Sequence, residues 1–343
     1  MPQQRVIWCS VDIVMTSETT QYNRSRFIHL FAVFTACCTL FLIFMGALVK
    51  SHEAGLSVPD WPNTYGQFMF TFPIDLWRAN IFYEHSHRLV ASFVGFLILV
   101  QAFTLQFKEN RPWVKRLGWW ALVAVIAQGV LGGLTVIFLL PTWISTSHAA
   151  LAQTTLCLAT AIALVTSRKW NDNTQKHTEA RSSLRSLTKW TVAAIFLQLI
   201  LGAIMRHEEA GLAIPTYPFA NGNLLPSFTS LGVILNFAHR WWAIVVAILI
   251  FTLNIKTLRQ YKSEKSFRTP ALIGMLLVLV QITLGAITIW SAKEPNWTSL
   301  HVVNGAAVLM TQFILALRVH HQLRANEAGA TQATSRVVVS EAI

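Results

Sequence analysis

Eight stretches of this chain stay apolar for close to the ~20 residues that a helix needs to cross the hydrocarbon of a bilayer: 27–49, 87–107, 117–140, 147–167, 188–205, 233–255, 270–291 and 299–317. They occupy most of its 343 residues, so the pattern predicts an all-α integral membrane protein of eight transmembrane helices. Composition agrees, with 54% hydrophobic and only 12% charged residues, against about 25% charged in soluble globular chains.

The formal net charge of +12 does not mark a nucleic-acid partner, because the cations are not gathered into one basic domain. They follow the spans instead. Lys108, Arg111, Lys115 and Arg116 lie between spans two and three, and Arg168, Lys169, Lys176, Arg181, Arg185 and Lys189 between four and five. Lys256, Arg259, Lys262, Lys265 and Arg268 lie between six and seven, with Arg318 and Arg324 after span eight. The other connections hold more of the acids, among them Glu53, Asp60, Glu84, Glu209 and Glu294. The positive-inside rule then places the basic loops and both termini in the cytoplasm, as in a multi-pass protein of a bacterial inner membrane. Segment 1–26 contains Asp12 and Glu18 and reads as neither a clean signal sequence nor an acid-poor transit peptide; it is expected as a cytoplasmic N-terminal segment. The tail 321–343 is small and polar and expected to be disordered. Cys9, Cys37, Cys38 and Cys157 offer no C-x-x-C pair and none falls in an outer loop, which gives neither a disulfide framework nor a cysteine metal site.

The chain also contains itself twice. "GALVKSHEAGLSVPDWP" (46–62) lies without a gap on "GAIMRHEEAGLAIPTYP" (202–218), "EHSHR" (84–88) on "NFAHR" (236–240), and "QGVLGGLTV" (128–136) on "QITLGAITI" (281–289). Self-similarity of this kind marks copies of one structural unit. The unit has four spans, giving an N-terminal repeat at 27–167 and a C-terminal repeat at 188–320, joined by a cytoplasmic linker at 168–187. Four is even, so both copies insert the same way up, and two four-helix bundles related by a pseudo-twofold axis along the membrane normal are predicted.

Of eleven histidines, His29, His52, His85, His177, His207, His320 and His321 have no histidine counterpart in the other half. Four form two matched pairs, His87 with His239 and His148 with His301, at the starts of spans two, six, four and eight. From each to the basic residue closing its span is 17 to 21 residues, about one hydrocarbon thickness at 1.5 Å per residue. All four imidazoles should therefore share one level near the outer face. Two imidazoles from facing helices, with no cysteine or paired carboxylate in register, suit bis-histidine ligation of a haem iron better than a zinc site. Helix-end capping and a proton or ion pathway are the other readings of the same four residues.

Matched cations accompany them: Arg88 and Arg240 follow their histidines, and Lys50 and Arg206 close spans one and five. A haem propionate at a membrane boundary needs such partners, although basic residues also snorkel to the interface without a ligand. Gly132 and Gly285 could admit a macrocycle face or simply close helix packing. The halves part company at Glu84, one turn before His87, whose counterpart is Asn236. One half thus has a titratable carboxylate on the face of its histidine, able to act as a general base or to stabilise charge.

With "EHSHR", "HAALAQ" from His148, "NFAHR", "HVVNG" from His301 and the twin "AGLSVPDWP" and "AGLAIPTYP" loops, the chain resembles the haem A synthase family from about residue 27 to 320. The resemblance implies an enzyme that converts haem O to haem A for cytochrome oxidase biogenesis, oxidising the methyl group at porphyrin C8 to a formyl group. It implies haem O as substrate between His87 and His148, with Glu84 as the catalytic residue, and a resident haem b between His239 and His301 that passes electrons. Some members carry a cysteine pair in the first outer loop; this chain falls with the cysteine-free type. Beyond haem O, haem A and membrane lipid, the candidate partners are a haem O synthase, cytochrome oxidase assembly factors and a second copy of the chain. A di-haem cytochrome b-type electron carrier and a haem-binding chaperone stay open as alternatives, the first requiring equivalent sites and the second much the same pocket.

Overall fold

The computed structural model describes the backbone of residues 3–171 and 182–341, and the side chains of 26–170 and 184–323. The first half comprises α1 (Gln3–Ser51), α2 (Asn80–Lys108), α3 (Pro112–Ile137) and α4 (Thr142–Val165). After the short α5 (Arg168–Asn171) come α6 (Ser182–His207), α7 (Leu231–Gln260), α8 (Lys265–Trp290) and α9 (Pro295–Glu341). All eight long helices contain a segment long and apolar enough to cross a membrane, bounded as Arg26–Ser51 in α1 and Pro295–Leu323 in α9. The all-helical, multi-pass fold read from hydropathy is the fold observed.

Two boundaries differ. The helices that carry the paired histidines begin earlier than their apolar runs, at Asn80, Thr142, Leu231 and Pro295. His87, His148, His239 and His301 therefore sit six to eight residues inside, roughly 9–12 Å down at 1.5 Å per residue. The physical reason is visible in "NIFYEHS" (80–86). It is too polar to read as a span, but the loop 52–79 covers it, bonding Glu84 and His85, so its polar side chains are satisfied within the protein. Beyond its apolar segment, α9 continues as helix to Glu341. Residues 322–341 hold no proline and one glycine among Ala, Gln, Glu, Arg and Leu, which favour helix.

Within each half every helix touches the next and the last touches the first: α1–α2–α3–α4 and α6–α7–α8–α9 each close into a four-membered bundle. The halves meet through α1–α9, α4–α6 and α4–α9. Exchanging the halves maps the first contact onto the second and the third onto itself. Small residues line the close approaches, with Ala32 and Ala36 of α1 and Ala159 of α4 fully buried, as expected where helices pack without water to drive them together. Large apolar residues such as Phe34, Phe96, Phe103 and Leu276 face outward, toward the hydrocarbon.

The repeat extends into backbone detail. Both long loops, 52–79 and 208–230, contain a tight hairpin, with bridges Thr64–Gln67 and Ala220–Asn223. Both central residues have positive φ, Tyr65–Gly66 and Asn221–Gly222, as this turn type requires. The α3–α4 and α8–α9 connections each use two consecutive left-handed residues, Leu139–Leu140 and Ala292–Lys293.

Candidate functional site

The four matched histidines each lie against a glycine of the preceding helix. A Cβ placed on Gly46 would stand 3.1 Å from His87 Cε1, on Gly132 3.1 Å from His148 Cε1, on Gly202 2.9 Å from His239 Cε1 and on Gly285 3.1 Å from His301 Cε1. Such distances are closer than ordinary van der Waals contact, so each glycine is a notch that receives an imidazole edge. This is a role for Gly132 and Gly285 that neither macrocycle contact nor plain helix packing anticipated, and Gly46 and Gly202 share it. All four histidines are half-buried.

A second element of the site was missed in the sequence. Gln128, Gln198 and Gln281 stand four residues before Gly132, Gly202 and Gly285, hence on the same helix face. Gln128 Nε2 donates to the His148 carbonyl at 3.0 Å, Gln198 Nε2 to that of His239 at 3.0 Å and Gln281 Nε2 to that of His301 at 3.1 Å. Each amide nitrogen also lies 3.2–3.4 Å from imidazole nitrogen. The readable signal was a thrice-repeated Q-x-x-x-G: QGVLG, QLILG and QITLG.

His87 and His148 belong to helices of the first closed bundle, and His239 and His301 to helices of the second. Nδ1 of His87 and of His148 is buried without a hydrogen-bond partner. Among the described residues, no group of three or more His, Cys, Asp or Glu could hold a bare metal ion. Two imidazoles in one bundle, each seated in a glycine notch, offer the kind of nitrogen donors that a haem iron takes.

The polar residues around the quartet are engaged by the protein. Glu84 is buried and accepts from Arg88 at 2.5 Å and from the Val58 N–H at 2.8 Å. Its counterpart Asn236 is equally buried but donates, to the carbonyls of Ala210 and Gly211 at 2.9 Å. Arg88 donates to the carbonyls of Val58, Asp60 and Asn63, and Arg240 to those of Ile214 and Thr216. These two guanidinium groups clamp the long loops onto the helices. Arg206 reaches across the halves to the Ala47 carbonyl at 2.8 Å and Ser51 Oγ at 2.6 Å. Lys50 pairs with Glu209, which also meets Lys293 at 3.3 Å. His85 turns away from the quartet and sits between Thr64, Phe72 and Trp77.

Eight spans in two closed four-helix bundles, each carrying a pair of glycine-seated histidines, define a polytopic helical membrane protein with an internal duplication. Within that class the chain belongs to the cytochrome oxidase assembly protein family COX15-CtaA, whose model matches residues 29–313. Its relatives include the haem A synthase of Alkalihalophilus pseudofirmus, 27% identical over 283 residues, which span 80% of this chain and 92% of that protein. The haem A synthase of Pelagibacter ubique is 25% identical over 332 residues (85% and 96%). That of Listeria monocytogenes serotype 4a is 23% identical over 300 residues (85% and 93%).

Proposed function

We propose that this chain is a membrane-bound oxidoreductase of the haem A synthase type, oxidising the C8 methyl group of haem O to the formyl group of haem A. It works in a bacterial inner membrane, with both termini cytoplasmic and the haem pockets toward the outer face. Haem O is bound between His87 and His148, and a resident haem b between His239 and His301. When bound, haem b supplies a redox centre that carries electrons away from the first half.

The observation that carries this reading is the break in an otherwise matched pair of pockets. At the turn above the histidine one half has an anionic acceptor, Glu84, and the other a neutral amide, Asn236. Two pockets serving electron transfer alone have no use for that difference, which counts against the plain electron carrier. Glu84 accepts the proton released as the methyl group is oxidised, or orients water there, while Arg88 keeps the carboxylate in place. Lys50 and Arg206, at the seam between the halves, exchange their present oxygen partners for propionate oxygens, and Arg88 and Arg240 add charge from the loop side.

The test uses membranes of a host that makes haem O but no haem A. Extracted haem should include haem A only when the chain is expressed. With Glu84→Gln, haem O should still bind while haem A formation falls at least tenfold. Normal haem A formation by that variant rules out the proton-handling role.

A further inference from the structure

The four histidines are not held equally. Three have a glutamine one turn above their glycine notch that bonds the histidine backbone carbonyl and touches its ring. Gln281 is itself fixed by Asn304, which donates to its Oε1 at 2.7 Å, and the matching position in the first half is Leu151. For His87 the corresponding helix is α1, where the residue four before Gly46 is Leu42. Leu42 packs into the apolar core of the first half and has no hydrogen to donate. His87 accordingly has its notch but no glutamine anchor.

We propose that His87 is the exchangeable axial ligand of this protein, and that Leu42, standing where the other three helices carry glutamine, is the positioning residue that makes it so. Gln128, Gln198 and Gln281 are the opposite case, each fixing the backbone of its histidine through the main-chain carbonyl. The grading runs His301 with glutamine and asparagine, His239 and His148 with glutamine, His87 with neither. The half that must take up and release haem thus contains the one unanchored ligand, opposite an anchored one that keeps the haem in register. This inference rests on the proposed placement of the transient haem in the N-terminal half.

Ligand departure can be read without turnover, by loading the purified full-length protein with haemin and following cyanide binding optically. Cyanide occupies an iron position only after a histidine has left it. One haem per chain should react readily in the wild type. In Leu42→Gln that phase should slow about tenfold, a change of about 1.4 kcal/mol, in the range of a single net hydrogen bond. Leu42→Met, which adds no donor, should keep the wild-type rate. In the other half Gln198→Leu should create a second reacting haem with the overall low-spin spectrum otherwise kept. An unchanged rate in Leu42→Gln with haem content intact, or no second phase in Gln198→Leu, overturns the proposal. If Leu42→Gln fails to fold, the Gln198→Leu arm decides it alone. Failure of the underlying site reading looks different: the haem-to-protein ratio would then be the same in His87→Ala, His148→Ala and the wild type.

Discussion

Two backbone N–H groups converge on the Asp60 carboxylate, from Tyr65 and Gly66, each at 2.8 Å, and so close the hairpin of loop 52–79. Partial burial raises the Asp60 carboxyl, but these donors, aided by Arg88, outweigh it and hold the group below the usual carboxylate range. A folded-state pKa below the unfolded one contributes stability that is present above the unfolded value, ~3.9, and is lost as pH falls through the folded value. Proteolysis of loop 52–79 should therefore be slow at neutral pH and quicken in acid below about pH 4. Asp60→Asn should be cut faster at neutral pH and lack the acid response; a wild-type profile in that variant would show that the carboxylate does not order the loop. The second half replaces this device with the uncharged Thr216, whose hydroxyl accepts from Asn221 N–H at 2.6 Å, so the hairpin at 220–223 has no carboxylate of its own to titrate. Residues like these mark the limit of what was legible. The histidines, Glu84 and the four cations could be picked out because the repeat doubles or breaks them at charged positions. The glycine notches and glutamine anchors are spread over four helices, and their meaning depends on which neighbour each helix faces. A single strand of letters does not carry that information.

The helices that bear the histidines are steadied by the loops above them. Arg240 Nη1 and Nη2 reach two carbonyls of loop 208–230, at 2.7 and 2.6 Å. Charge-assisted bonds of this kind are each worth about 1.5–3 kcal/mol, and a lysine ammonium cannot span both acceptors as the planar guanidinium does. Arg240→Lys should keep the charge but free one end of the loop. The expected outcome is at least severalfold faster cleavage within 208–230 with unchanged helix content by circular dichroism, and no change in cleavage would mean that the loop is held elsewhere. Loop contacts of the same kind, to Glu84 and Arg88, explain why hydropathy placed the start of α2 too deep. Apolar runs report where lipid begins, whereas this helix rises further, into a layer where loop carbonyls and N–H groups satisfy polar side chains. The number of spans and their order depend only on the apolar runs and were legible; the extra turns depend on the loops and were not.

At the scale of the molecule, the two bundles are tied at the end where the long loops lie. Glu209 joins Lys50 of the first half and Lys293 of the second. Partial burial raises its carboxyl, but the two ammonium groups hold it below the usual range. These partners are partly exposed, and exposed ion pairs are typically worth only 0–1 kcal/mol. Arg206 is more deeply placed, and its loss leaves the Ala47 carbonyl and Ser51 hydroxyl short of a donor, at about 1–3 kcal/mol. When residues 1–171 and 182–343 are co-expressed as separate chains, the halves should copurify. Arg206→Leu should reduce recovery clearly more than Lys50→Ala does. Equal recovery in both variants would mean that helix packing along α1–α9, α4–α6 and α4–α9 joins the halves without help from polar groups.

Leu42, four residues before the glycine that seats His87, has a consequence that reaches beyond any one molecule. In the genetic code two leucine triplets become glutamine triplets by changing their middle base, so on the proposal made above a gripping pocket and a releasing one lie a single mutation apart. Once a gene of this design had been duplicated, its two copies could divide the labour between a permanent tenant and a passing guest without rebuilding either pocket. The same step, taken in reverse at the bench, offers a short route to a variant that keeps its guest.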